Sequence, residues 1–269
     1  GVAITSTENG ALVGLSGGRN YSAKGTNRAT IKRQPGSTAK ILFDYGPYIE
    51  YLNGSPATLF MDEPTTYSNG TAIKNADGRY TGLINMRTAL VNSRNIPALQ
   101  AFKAVYKENP DYIKDFVHKL GIDYGDELYE SASIGGFDGV SPIQMSAAYA
   151  AFGRGGYYIK PYSYTKATLV ETGKTYEQKP EKVKVMSEET AYMITDILIS
   201  AAQSGVGGVS VKGTQIAAKS GTTNLDEATT SKLGIPASAT RDAWNITYSP
   251  EYAIALWIGY DVNNSEHYL

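Results

Sequence analysis

The 269-residue chain has no cysteine and only two histidines, His118 and His267. Without cysteine there is no disulfide framework, no thiolate nucleophile and no Cys-based zinc site. The histidines lie far apart and lack ligand-like neighbours, which argues against a histidine-rich metal centre and reads both as structural or solvated. No metal and no cofactor is expected. Any nucleophile must then be serine, threonine, lysine or a carboxylate.

An excess of one charge is lacking too. The 25 Lys+Arg and 26 Asp+Glu leave a formal net charge of −1, and the cluster Arg28, Lys32, Arg33 is too short to replace the basic excess that phosphate-backbone binding needs. No nucleic-acid partner is expected. No apolar stretch reaches the roughly 18 to 20 residues that span a bilayer; the longest is residues 252–260, and the chain as given is expected to be soluble. Its start, Gly-Val-Ala-Ile-Thr, shows neither the charged region nor the apolar core of a signal and reads as a piece of something longer. The missing cysteine leaves the compartment open.

What is present is a globular composition, 42% hydrophobic and 19% charged, with length enough to bury a full core. Residues 2–7 and 11–16 favour strands and are joined through Asn9-Gly10, a strong hairpin signal. Residues 36–152 follow helical spacing. Within them Ser141-Pro-Ile-Gln144 reads as a capping box, and Gly153, Gly155 and Gly156 stop the helix it opens. Residues 162–170, 215–219, 242–248 and 252–260 predict strands, with a Ser249-Pro-Glu251 turn before the last. A helix is predicted over 188–202 and a flexible loop at Gly-Val-Gly-Gly-Val, 205–209. The expected fold is therefore α+β: one domain over 1–269, its antiparallel sheet built from about 1–20 and 157–261, with a helical subdomain inserted over about 36–152.

Three places could carry chemistry. In Gln34-Pro-Gly-Ser37-Thr-Ala-Lys40, a Pro-Gly turn leads into a helix expected to stop at Gly46-Pro47. Positions i and i+3 share a helix face, so the Lys40 amine can reach the Ser37 hydroxyl, as a base serving a nucleophile. A serine three residues before a lysine is common by chance, and Ser163 with Lys166 is a second instance. Those two fall in an alternating, strand-like run that would point them to opposite faces.

The second place is Ser93-Arg94-Asn95, between a helical stretch ending near Val91 and another opened by Pro97. A hydroxyl and an amide presented together from a tight loop could relay a proton and hold a substrate amide. Taken alone, the same residues are ordinary caps. The third is Lys219-Ser220-Gly221-Thr222-Thr223 at a strand end, where a cation and hydroxyls could bind a carboxylate while glycine admits a ligand close to the backbone. Its bland reading is a polar strand end before a turn.

Taken in this order, S-x-x-K, S-x-N and K-[ST]-G resemble the serine penicillin-recognising family. The chain is most similar to the transpeptidase domain of a class A penicillin-binding protein of Gram-positive type. Supporting strings are Ile134-Gly-Gly-Phe137, Gly139-Val-Ser-Pro142, Ala147 to Phe152, Asp242-Ala-Trp244 and Trp257 to Asp261, so the likeness covers nearly the whole chain. It departs from the commonest forms at Arg94, expected to alter what enters the cleft, and at Ser220, where threonine is usual.

The resemblance implies a penicillin-binding transpeptidase or β-lactamase-like fold. It further implies that Ser37 attacks a D-Ala-D-Ala carbonyl, with Lys40 as base and Ser93 as relay. The Ser37 and Thr222 amides would form the oxyanion hole, Asn95 would hold the substrate amide, and Lys219, Ser220, Gly221, Thr222 and Thr223 would surround the carboxylate. Implied partners are peptidoglycan stem peptides, β-lactams and cell-wall synthesis proteins. The implied setting is the cell envelope, outside the cytoplasm, with a membrane anchor and a glycosyltransferase domain absent from this sequence. A D,D-carboxypeptidase or serine β-lactamase is the runner-up, and a non-catalytic β-lactam sensor or wall-binding module comes from another class. The nearest string to a β-lactamase deacylation element, Glu50-Tyr-Leu-Asn53, is one residue short and badly placed. The 21 tyrosines read as packing and rim residues, with room for a few to touch glycan or peptide.

Overall fold

A computed structural model describes residues 1–19, 21, 24–204 and 210–269; the loop expected at 205–209 lies outside them. Strands β1 (Val2–Ser6) and β2 (Leu12–Ser16) form the expected N-terminal hairpin. From the far end of the chain come β3 (Ala217–Asn224), β4 (Thr240–Tyr248) and β5 (Tyr252–Gly259). The five make one sheet in the order β3-β4-β5-β1-β2, with β1 paired antiparallel to β5 through Val2 opposite Leu256. Strand β3 is thus an edge, and it is the edge the helical part meets.

Period-two burial explains the sheet's orientation. Asp242, Trp244, Ile246 and Tyr248 of β4 and Ala253, Ala255 and Trp257 of β5 are buried, whereas Tyr252, Ile254 and Ile258 are exposed. Alternate residues of a strand face one side, so this buried set is the core face.

The helices are α1 (Gly46–Leu52), α2 (Met86–Val91), α3 (Asn95–Glu108), α4 (Pro110–Lys119), α5 (Pro142–Gly153), α6 (Glu188–Ser204) and α7 (Glu227–Leu233). Helix α5 opens with the expected reciprocal cap: Ser141 Oγ accepts from the Gln144 amide (3.3 Å) and Gln144 Oε1 from the Ser141 amide (3.0 Å). It is apolar almost all round and packs on β1 and β5, while α6 lies on β3. A helix buried on every side needs no polar face.

Three local expectations are corrected. Residues 162–170 are not a strand of the sheet: Tyr162 makes an isolated bridge to Ala11, and Lys166–Thr168 pairs with Thr175–Glu177 in a separate, fully exposed ribbon. With no buried face to fix it, alternation there carries no information about sheet membership. The sheet's C-terminal share accordingly begins at 217, not near 157. The helical part also holds two short ribbons, Leu59–Asp62 with Gly82–Asn85 and Thr65–Thr66 with Ala72–Ile73. Finally, Gly46-Pro47 opens α1 rather than ending a helix. Pro47 lacks the N–H for an i to i−4 bond, and the π-helical turn over Ile41–Tyr45 lets the chain run past it.

Candidate active site

Ser37 sits in a 3-10 turn, Gly36–Ala39, pressed against the middle of β3. Two glycines permit the contact. Gly36 has φ +55°, and a Cβ there would lie 2.4 Å from the Thr222 carbonyl oxygen; a Cβ on Gly221 would lie 2.4 Å from the Pro35 oxygen. Any side chain at either place would push the turn off the strand. The turn is tied down on both sides, since the Trp244 indole donates to the Gln34 carbonyl (2.9 Å) and the Tyr149 hydroxyl to the Thr38 carbonyl (2.7 Å). Ser37 and Thr222 are therefore neighbours across a backbone-to-backbone contact.

Lys40 follows on the buried side and is fully shielded from solvent. Its amine does not hydrogen-bond Ser37. It donates to the Ser93 carbonyl (2.6 Å) and to Asn95 Oδ1 (2.7 Å), and lies 3.3 Å from Ser93 Oγ. The Ser93 carbonyl, the Asn95 side-chain oxygen and the Ser93 hydroxyl thus surround the amine as acceptors and fix its position. Burial, reinforced by the charge of Lys219, holds the Lys40 amine well below the usual lysine range.

Lys219, on β3, enters from the opposite wall. Its amine donates to Ser93 Oγ (2.9 Å) and to the Ser220 carbonyl (2.9 Å), and burial lowers its pKa to about 8. The Ser93 hydroxyl thus stands between two lysine amines, both with pKa values lowered by burial. Ser93 has φ +53°, uncommon outside glycine. It does not cap α3, whose N-cap position belongs to Arg94, so the capping alternative falls for this serine. Pro97 is the third helical residue, not the first, which is still inside the turn that needs no intrahelical N–H bond.

Arg94 turns away from the cleft, contrary to expectation. Its Nε donates to Asp62 Oδ2 (2.9 Å), Nη1 to Asp77 Oδ2 (2.9 Å) and Nη2 to the Arg79 carbonyl. Asp62 also accepts from Asn75 Nδ2 (2.7 Å) and from the Thr81 hydroxyl (2.7 Å) and amide (3.1 Å). Burial works to raise the Asp62 pKa, but these bonds together hold it below the usual carboxylate value. Asn75 Oδ1 accepts from the Asn95 amide (2.7 Å), and Asn95 Nδ2 donates to the Lys74 carbonyl (2.7 Å). Sequence reasoning missed Asp62 and Asn75, because a four-residue strand and the loop after a two-residue one give too few residues for a pattern.

Along β3 side chains alternate, so Lys219, Gly221 and Thr223 share one face and Ser220 and Thr222 the other. Thr222 is exposed and Ser220 half-buried. Thr223 is set apart, its hydroxyl donating to Asp242 Oδ2 (2.6 Å) while Asp242 Oδ1 accepts from the Trp257 indole (2.9 Å). Thr223 thus ties β3 to β4 instead of lining the cleft.

The remaining candidates lie elsewhere. Ser163 is outside any strand, and Lys166 pairs with Glu177 (3.5 Å) on the exposed ribbon. Glu50 accepts from the Ser187 amide (2.9 Å) and hydroxyl (2.7 Å) and the Thr190 hydroxyl (2.6 Å), anchoring the start of α6. His118 stacks on Tyr124 and His267 on Tyr260. Asp44, one turn beyond Lys40, is fully buried with both oxygens unpartnered, and burial raises its pKa far above the usual carboxylate value. A cavity of about 860 Å³ beside Tyr158, Tyr162 and Lys160 is lined by Ser163 but by no residue of the segments 37–40, 93–95 or 219–223. Among the described residues no group of acidic, histidine or cysteine side chains suits a metal ion.

The three motifs thus meet on an α+β scaffold, as a buried lysine pair around one serine and a second serine on the turn against the strand edge. Residues 1–266 match the model of the penicillin-binding protein transpeptidase domain, and the chain belongs to that family. It is 42% identical over 271 residues to penicillin-binding protein 1A/1B of Bacillus subtilis (strain 168), covering 98% of this chain and 29% of the relative. To penicillin-binding protein 1A of Streptococcus pneumoniae (strain ATCC BAA-255 / R6) it is 33% identical over 271 residues, covering 96% and 37%. The chain thus spans less than half the length of these curated relatives. In fold it is similar to the solved penicillin-binding protein PonA1 from Mycobacterium tuberculosis, with TM-score 0.82, 22% identity, and coverage of 97% of this chain and 68% of that one.

Proposed function

We propose that this domain is a serine D,D-transpeptidase that cross-links peptidoglycan stem peptides through an acyl-enzyme on Ser37, and that β-lactams acylate the same serine. The observation that carries the reading is the fully buried Lys40 amine, fixed by the Ser93 carbonyl and Asn95 Oδ1 beside the Ser93 hydroxyl, with burial favouring its neutral form. As Ser37 Oγ bonds to the carbonyl carbon of D-Ala-D-Ala, its proton passes to Lys40 Nζ. The carbon–nitrogen bond then breaks and the leaving amine takes a proton through Ser93. The Ser37 and Thr222 amides face the developing oxyanion. Asn95 steadies Lys40 and the substrate amide, while Lys219, Ser220 and Thr222 receive the terminal carboxylate. An amine of a neighbouring stem then attacks the ester and frees Ser37.

The names of the relatives support a place in the cell envelope, outside the cytoplasm. None of the described helices is long and apolar enough to cross a membrane, and any anchor or glycosyltransferase domain would lie beyond residues 1–269. One related PonA1 structure, with TM-score 0.79 and 22% identity, is described as a complex with penicillin V.

The test is intact-mass spectrometry after mixing with penicillin G. Wild type should carry one persistent adduct and Ser37→Ala none, with a donor–acceptor peptide assay then showing cross-linked product. An adduct on folded Ser37→Ala, or none on folded wild type, refutes the assignment. Rapid loss of the adduct with release of hydrolysed drug would make the domain a hydrolase.

A further inference from the structure

The loop that presents Ser93 and Asn95 is held from behind by a polar cluster outside the three motifs. Arg94, 7% exposed, is gripped by Asp62, which is fully buried, and by Asp77 and the Arg79 carbonyl. Asn75, 4% exposed, bonds at once to Asp62, to the Arg79 carbonyl (2.9 Å) and to the Asn95 amide. Asp62 ends the strand Leu59–Asp62, and Asn75, Asp77 and Arg79 lie in the loop between Ala72–Ile73 and Gly82–Asn85; Asp62, Asp77 and Arg79 meet Arg94 under the Ser93 loop. None of their described hydrogen bonds reaches Ser37, Lys40 or Lys219.

What they restrain is a strained backbone. A serine at φ +53° is strained and persists only where its surroundings impose it. The residues on either side supply that imposition: the Arg94 side chain locks one end of the loop, and Asn75 locks the amide of Asn95. If Ser93 relaxed to negative φ, its hydroxyl would leave the gap between the Lys40 and Lys219 amines, and its carbonyl would leave Lys40.

We propose that Asp62 and Asn75 are positioning residues for acyl transfer, acting through Arg94 and the Asn95 amide to hold the Ser93 hydroxyl between the two lysine amines. This rests on the reading of Ser93 as the proton relay. The cluster touches no expected substrate contact on β3 and meets Asn95 through its backbone amide, so its removal should slow the bond-making step more than it weakens initial ligand binding.

The experiment is a double-mutant cycle on penicillin G acylation, followed by stopped-flow at a temperature where every variant is folded. Asn75→Ala should lower the acylation rate constant by about 10²-fold, the usual cost of an ångström-scale misplacement, with a much smaller change in the prior dissociation constant. In a Ser93→Ala background the same change should cost no more than about twofold, because the group being positioned is gone. Asp62→Asn should behave alike, and Asn75→Ala, which removes no charge, serves if Asp62→Asn does not fold. Full losses that add in the Ser93→Ala background, or folded single variants that acylate at the wild-type rate, overturn the proposal. A Ser93→Ala enzyme that acylates normally would instead overturn the relay reading itself.

Discussion

The chain contains the same tetrad spacing twice, and the two copies differ in everything beyond it. Ser37 and Lys40 lie in a buried turn against a sheet edge, with the lysine bonded to two carbonyl oxygens and facing a second lysine. Ser163 and Lys166 lie on the outside, the lysine paired with Glu177 across an exposed ribbon. Spacing brings a hydroxyl and an amine within reach; a low dielectric and fixed acceptors make the amine a base. Burial strips water from Lys40, whereas Lys166 keeps it.

The largest contrast should appear in acylation. Lys40→Met is expected to slow penicillin acylation by about 10²- to 10⁴-fold, the range for a lost general base, while Lys166→Met leaves it unchanged; stopped-flow rates on both variants decide it. A normal rate in Lys40→Met would erase the distinction between the tetrads.

Stability should show the next difference. Asp62→Asn leaves the Arg94 guanidinium buried and half-paired, with an expected loss of about 3–5 kcal/mol, read from urea unfolding. Because its hydrogen bonds depress the folded-state pKa of Asp62, its contribution is present above the unfolded carboxylate pKa and is lost as pH falls through the folded value. Asp62→Asn should therefore lack part of the acid destabilisation of wild type.

A pH profile sharpens the comparison further. With Lys219 at about 8, acylation should fall as pH rises through that value and the cation beside Ser93 disappears. The basic limb should be missing from the residual activity of Lys219→Arg. The smallest effect belongs to the exposed ribbon, where Glu177→Gln should cost less than about 1 kcal/mol in urea unfolding.

The legible part of the site was its local part. Ser37 to Lys40, Ser93 with Asn95, and Lys219 to Thr222 each occupy a few consecutive residues whose helix, loop or strand setting follows from short-range rules. The α5 cap and the alternation of 242–248 were legible for the same reason. The strand over 162–170 was misread because an exposed ribbon and a half-buried strand share one pattern and differ only in what covers them. Arg94 was misdirected toward the cleft since nothing near it in sequence reveals Asp62, 32 positions earlier. Thr223 looked like a ligand hydroxyl until Asp242, opposite it on β4, claimed it.

By itself, then, the sequence determined which chemical groups are available, no thiol and no histidine centre but serine and lysine at helical spacing, along with the α+β plan and the three motif segments. Hydrogen bonds to near neighbours and periodic burial act over a few residues, and a sequence displays them directly. Only the tertiary structure decided which Ser-x-x-Lys is buried, which amines lose their water, and that Ser93 is held at a strained angle between two lysines. Those outcomes depend on desolvation and on contacts between residues up to 126 positions apart, and the chain has neither until the sheet edge and the helical part close on each other.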